Sequence, residues 1–145
     1  DDIDVNLKGT IAMTEHYGIH PGIRTVLMIG SASAHTGSEF PEYAASKGGL
    51  LSYTKNVALR IAPYGATCNS LDFGGVLTEL NRPVTEDPAL WTKIMAETPL
   101  KRWMTPEEAA EWVYFMAVKN RFCSGQNILI DGLEAGKANF IWPEQ

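Results

Sequence analysis

The stretch TVLMIG at residues 25–30 decides the architecture. It is an uncharged run flanked by HPGIR and by a small polar cluster, and it reads as a strand covered on both faces. The next regular element is a helix over residues 43–61, carrying Ala44, Leu50, Leu51, Val57, Ala58 and Ile61. APYG closes it with a proline and then a glycine. ATCNSLDF at residues 66–73 is a second strand, and NILIDG at residues 127–132 is a third with its turn. Between them lie helical stretches at residues 87–97 and 106–118. The second opens with TPEE, where Thr105 caps, Pro106 suits the first turn and Glu108 stands at capping-box spacing. Strands alternating with helices predict an α/β fold built on a parallel sheet.

The bulk numbers suit that fold. The chain has 145 residues, 45% apolar and 20% charged, the profile of a globular domain rather than a disordered tail. It contains no repeat, low-complexity tract or linker, so residues 1–145 are expected to form one unit without an internal boundary. A chain of this length buries roughly two-thirds of its unfolded surface, so neither disulfides nor a metal is needed for stability. Cys68 and Cys123 have no second cysteine or histidine at metal-ligand spacing and are expected as reduced thiols. The net charge of −5 and the lack of a basic stripe argue against a nucleic-acid partner. No apolar run approaches the ~20 residues that span a bilayer, and DDIDVN is acidic where a signal peptide is basic. The expectation is a cytoplasmic protein that neither crosses nor binds a membrane.

The chemistry concentrates in EYAASKGG at residues 42–49. Four residues span about 6 Å of helix rise, so Tyr43 and Lys47 share one face. A phenol with its ordinary pKa of about 10 is too firmly protonated near neutrality to serve as a ready base. An ammonium one turn away favours the phenolate, so the hydroxyl can give a proton to a substrate oxygen or take one from it. Spacing alone favours a packed tyrosine beside a solvated lysine. The setting favours chemistry, because Ser31 follows the first strand twelve residues before Tyr43. In a parallel sheet, function gathers beyond the carboxyl ends of the strands, where Ser31 can hydrogen-bond the same substrate oxygen.

From about Asp4 to Gly132 the sequence resembles the short-chain dehydrogenase/reductase (SDR) family. VNLKGT is similar to the family's segment bearing its catalytic asparagine, MIGSAS to its serine strand, and YAASKGGL to its Tyr-x-x-x-Lys helix. FGGVLTEL matches the segment that usually carries Pro-Gly and a threonine; here Phe73 holds the proline position and Gly74 is kept. PLKRWMTPEEAAEWVYFMA and SGQNILIDG match the closing helix and strand. The resemblance implies a Rossmann-type doubly wound parallel sheet, of which this chain supplies the later strands and helices. It implies an NAD(P)-dependent oxidoreductase moving hydride between nicotinamide and a carbonyl or secondary alcohol, with NAD or NADP as cofactor. Tyr43 is implied as general acid/base and Ser31 as the group that polarises the carbonyl. Lys47 is implied as the cation that tunes Tyr43 and holds the nicotinamide ribose, and Asn6 as the holder of a water in a proton relay. Gly74, the backbone around Val76 and Thr78 are implied as nicotinamide contacts beside Tyr43 and Lys47.

Three strands are fewer than the about six of a doubly wound nucleotide-binding fold. No glycine-rich turn follows any of them, so no dinucleotide phosphate cradle is assigned. The sequence is therefore expected to be a catalytic-site half whose glycine-rich N-terminal segment lies elsewhere. An alternative is a catalytically inactive remnant serving as an oligomerisation or interaction module. Ser33 and His35, in the loop before Tyr43, are candidate substrate contacts, His35 otherwise being a surface-loop histidine. Trp91 and Met95 fall at i, i+4 and form either an apolar lid over the substrate or ordinary packing. The apolar tail residues Phe140, Ile141 and Trp142 suggest docking onto a sister subunit. With the family's habit of pairing the Tyr43 helix across a symmetry axis, this implies a homodimer or homotetramer acting on a small molecule.

Overall fold

In the computed structural model, residues 1–138 and 141–143 are described; Phe140 of the apolar tail lies outside them. The sheet has three parallel strands in the order β1-β2-β3: β1 Thr25–Ser31, β2 Thr67–Phe73 and β3 Asn127–Ile130. The β1–β2 ladder runs without a bulge from Thr25 opposite Thr67 to Ser31 opposite Phe73. β3 joins from Ser70 opposite Asn127 to Phe73 opposite Ile130.

Six α-helices surround the strands among the described residues: α1 Thr10–Tyr17, α2 Ser33–Thr36, α3 Pro41–Ile61, α4 Arg82–Thr85, α5 Pro88–Glu97 and α6 Pro106–Tyr114. A π-wound segment, Ile3–Gly9, leads into α1, and another, Phe115–Lys119, continues α6. α3 covers one face of the sheet through Met28, Val57, Ala58, Ile61, Ala66 and Cys68. α6 and its continuation cover the other through Leu71, Met116 and Ile130, with Val113, Met104 and Phe73 packed around them. Helices on both faces of a parallel sheet form the three-layer arrangement that the alternation of elements predicts.

Several boundaries are set by local chemistry. α3 begins two residues before Tyr43, because Pro41 occupies its first turn with φ already suited to a helix. Gly65 ends the short turn Ala62–Tyr64 in the left-handed region at φ 73, as a glycine after a helix does. Asp87 lies outside α5 as its cap, accepting from the backbone N–H of Ala89 at 3.0 Å and of Leu90 at 3.1 Å. The capping box of α6 is complete: Thr105 Oγ1 accepts from Glu108 N at 3.2 Å, and Glu108 Oε1 accepts from Thr105 N at 3.1 Å.

Two features depart from the sequence reading. β2, not β1, is the strand covered on both faces, its residues Thr67 to Asp72 all being buried. β1 lies at the edge of the described sheet, and Ile29 is 49% exposed there. The helix at the start of the chain carries no apolar stripe, with Val5, Met13 and Tyr17 exposed. Thr14 is the buried side chain of α1, so hydrophobic periodicity does not reveal it.

Two consequences can be measured. Burial pushes the Cys68 thiol up to about 12, so Cys68 is expected to resist thiol-specific reagents in the native protein and to react only after denaturant is added. Replacing Thr105 with alanine removes the acceptor of the α6 cap and is expected to lower unfolding free energy by about 1 kcal/mol in chemical denaturation.

Candidate functional site

The parallel register brings Ser31 and Phe73 side by side at the carboxyl end of the sheet. An open cleft of about 760 Å³ lies there, bordered by Ser31, Ser33, Tyr43, Lys47, Gly74 and Trp103 among others. Ser31 arrives from the last position of β1, Ser33 from the first of α2, and Tyr43 and Lys47 from the first two turns of α3. Small residues Ala44 and Ala45 between the last two leave the tyrosine–lysine face unobstructed.

Each side chain is held in a definite way. Ser31 Oγ accepts from Ser33 Oγ at 2.9 Å and from Ser33 N at 3.2 Å. Both its acceptor positions are thereby used, and its own O–H proton stays available for an acceptor in the cleft. Lys47 Nζ donates to Ile29 O at 3.0 Å and lies 5.8 Å from the centre of the Tyr43 ring. An ammonium has three protons, so two remain for a ligand. Burial pulls the Lys47 pKa below the ordinary lysine value, and the carboxylate of Asp72 works against that.

Asn6 does not border the cleft. It sits in the π-wound segment, where Thr10 Oγ1 donates to its carbonyl at 2.6 Å. Its Nδ2 donates to Ser46 Oγ at 3.2 Å, and Ser46 Oγ donates to Tyr43 O at 2.8 Å. Asn6 therefore reaches the first turn of α3 through one hydroxyl. Gly49 makes this approach possible, since a Cβ there would meet Leu7 Cδ2 at 2.8 Å.

The remaining candidates scatter. Val76 pairs with Met104 in an isolated bridge, and its carbonyl accepts from Asn81 Nδ2 at 2.8 Å. Thr78 precedes the short turn Glu79–Asn81 and borders a separate shallow depression with Leu77, Arg82 and Pro106. The His35 imidazole turns away from the cleft lining, and its Nε2–H donates to Asp72 Oδ2 at 2.6 Å. Trp91 touches the cleft only through Trp103, its ring edge-on at 5.2 Å between centroids. Met95 gives its carbonyl to Lys101 Nζ at 2.8 Å.

Four features in or beside the cleft were given no site role from the sequence. The Trp103 indole lies against Gly75, where a Cβ would collide with it. Glu97 and Lys137 border the cleft as an ion pair. Glu134 also borders it, and burial, then Asp131 and Glu39, raise its pKa above the usual carboxylate value. Asp72 lies wholly buried at the penultimate position of β2. A signal for it existed, since a carboxylate inside an otherwise uncharged strand is costly unless paired.

Among the described residues no cluster of histidine, cysteine or acidic side chains could hold a metal ion. No helix among them is long and apolar enough to cross a membrane.

Comparison with known proteins gives the family and the fold. A family model described as Enoyl-(Acyl carrier protein) reductase matches residues 1–132. Dehydrogenase/reductase SDR family member 4 of Bos taurus is 32% identical over 139 residues, covering 90% of this chain and 48% of that protein. A crystal structure of a Thermus thermophilus protein superposes with a TM-score of 0.84 at 28% identity, over 94% of this chain and 60% of the other. A putative 2-deoxy-D-gluconate 3-dehydrogenase from Agrobacterium tumefaciens, with bound NADP, superposes with a TM-score of 0.85 at 26% identity, over 93% and 57%. The chain thus spans about half the length of the curated relative it matches. The arrangement of serine strand, tyrosine–lysine helix and closing strand, together with these matches, places the chain in the short-chain dehydrogenase/reductase family of oxidoreductases.

Proposed function

We propose that this chain carries the catalytic side of an NAD- or NADP-dependent dehydrogenase or reductase acting on a carbonyl or secondary alcohol. The observation that carries the proposal is the Ser31 hydroxyl, which accepts from Ser33 N and Oγ and borders a cleft shared with Tyr43 and Lys47. The donor set fits the nicotinamide end of a dinucleotide: a half-buried ammonium with two free protons and a phenol on one helix face, beside an open cleft. Lys47, Tyr43 and the backbone at Gly74 hold that end, and Val76 and Thr78 belong to the same proposal as contacts farther along the chain. When bound, the cofactor supplies or accepts the hydride at the substrate carbon.

The chain's own residues handle the oxygen. In the reducing direction, Ser31 donates a hydrogen bond to the carbonyl oxygen, drawing electron density toward it. Tyr43 gives its phenolic proton to the same oxygen as negative charge develops there. Lys47 stabilises the phenolate left behind. In the oxidising direction Tyr43 accepts the alcohol proton instead. Asn6, linked through Ser46 to the first turn of α3, is the entry to the relay that returns the proton. Ser33 holds Ser31, and Trp91, packed edge-on against Trp103, and Met95 one turn along α5 are the lid residues of this proposal.

The whole protein's activity includes a glycine-rich segment for the dinucleotide phosphates, which we assign to a part of the polypeptide outside this sequence. The domain formed by residues 1–145 is in this proposal the catalytic half of one Rossmann-type unit. A homodimer or homotetramer is part of the same proposal. Tyr114, Phe115, Val118 and Phe122, each more than half exposed, offer apolar surface for such an assembly to cover.

The test is a comparison of the full-length protein with its Tyr43→Phe variant over a panel of carbonyls and alcohols, with both cofactors titrated by fluorescence. The expected result is a loss of about 10²-fold or more in kcat/KM, with cofactor affinity largely kept. Parental turnover in the variant overturns the proposal.

A further inference from the structure

Asp72 is the one carboxylate that β2 buries completely, and nothing in the proposed reaction uses it. The side chains of Cys68, Ser70 and Asp72 alternate onto the face of the sheet covered by α3. In the ladder Asp72 stands opposite Gly30, and its Oδ1 occupies the space a Cβ at Gly30 would need. A glycine is required there for the carboxylate to lie flat over β1. Oδ2 is taken by His35, whereas Oδ1 has no hydrogen-bond partner among the described residues.

Two catalytic candidates flank this carboxylate. Ile29 O, the acceptor of Lys47 Nζ, belongs to the peptide that joins Ile29 to Gly30, the residue beneath Asp72. His35 belongs to α2, the short turn that starts at Ser33, and Ser33 is the donor to Ser31. The His35 side chain is 24% exposed and that of Asp72 is 0% exposed, so their bond is shielded from water and holds the turn against the sheet more firmly than a surface contact does.

Resting on the function proposed above, we propose that the His35–Asp72 pair is a positioning device. Through His35 it fixes the Ser31–Ser33 turn, and through its buried negative charge it keeps the Lys47 ammonium charged beside Tyr43. The direction of the Lys47 shift agrees, burial lowering its pKa and Asp72 opposing the fall. The charged and titratable groups around Lys47 are Tyr43 on α3 and Asp72 on β2, with His35 of α2 behind Asp72, and, lining the same cleft, Glu39, Glu97, Glu134 and Lys137. All but Asp72 are common to the parent and an Asp72→Asn variant, so the comparison isolates the carboxylate.

The experiment uses full-length protein labelled with ¹³C-lysine, in which the Lys47 Cε resonance is assigned by its absence from Lys47→Arg and titrated with pH. Asp72→Asn is expected to move the Lys47 titration to lower pH and to carry the alkaline limb of the kcat/KM profile the same way. Asp72→Ser serves the same comparison should the asparagine variant not fold. His35→Ala is expected to lower kcat about tenfold or more with KM little changed, and His35→Gln, whose amide still donates, to recover most of it. An unmoved Lys47 titration in a folded Asp72 variant overturns the proposal, as does parental kcat in His35→Ala at every pH. The Lys47 titration is read without turnover, so it answers for the pair even if Tyr43→Phe stays active and the reaction assignment falls.

Discussion

The parallel ladder between β1 and β2 is the constraint on which the site depends. Its register sets Ser31 level with Phe73 and Gly30 level with Asp72. A slip of one residue would turn every side chain of β1 to the opposite face and put a side chain where Gly30 now leaves room for Asp72. The ladder is held by burial on both sides, α3 contributing Val57, Ala58 and Ile61 and the α6 side Met116. The chemistry at the carboxyl end is thus anchored by apolar packing in the middle of the sheet.

Polar contacts then refine what packing places roughly. Lys47 spends one proton on the β1 backbone, and this tie between α3 and the strand also aims the ammonium. Ser31 is saturated on its acceptor side by Ser33, which leaves its hydroxyl a single direction in which to donate. Asn6 reaches Tyr43 through Ser46, so a segment 40 positions away in the chain is tied to the first turn of α3. None of these bonds is worth more than about 1–3 kcal/mol; their value lies in restricting where each proton can go.

Much of this was legible in the sequence, for reasons particular residues make clear. TVLMIG, NILIDG and TPEE carry signals local to themselves: apolar runs, a turn glycine, a capping box. The tyrosine–lysine pair was legible because helical spacing alone puts both on one face. That Ser31 would share a cleft with this pair followed from the parallel sheet, whereas Gly74 was indicated by the resemblance alone. What stayed hidden depends on partners far away in the chain. His35 looked like a loop residue because its acceptor is 37 positions distant. The helix of residues 10–17 was invisible because its contacts with the rest of the protein are polar and small rather than apolar and periodic. The burial of β2 in place of β1 could not be read from composition, since it reflects which strand occupies the middle of the sheet.

The meeting of Gly49 with Leu7 has a meaning beyond packing. The α3 backbone and the Leu7 side chain meet with no room for another carbon, and a methyl added at Gly49 would act as a wedge between the segment bearing Asn6 and the helix bearing Tyr43. The consequence falls first on Leu7, whose side chain would have to turn aside to admit it.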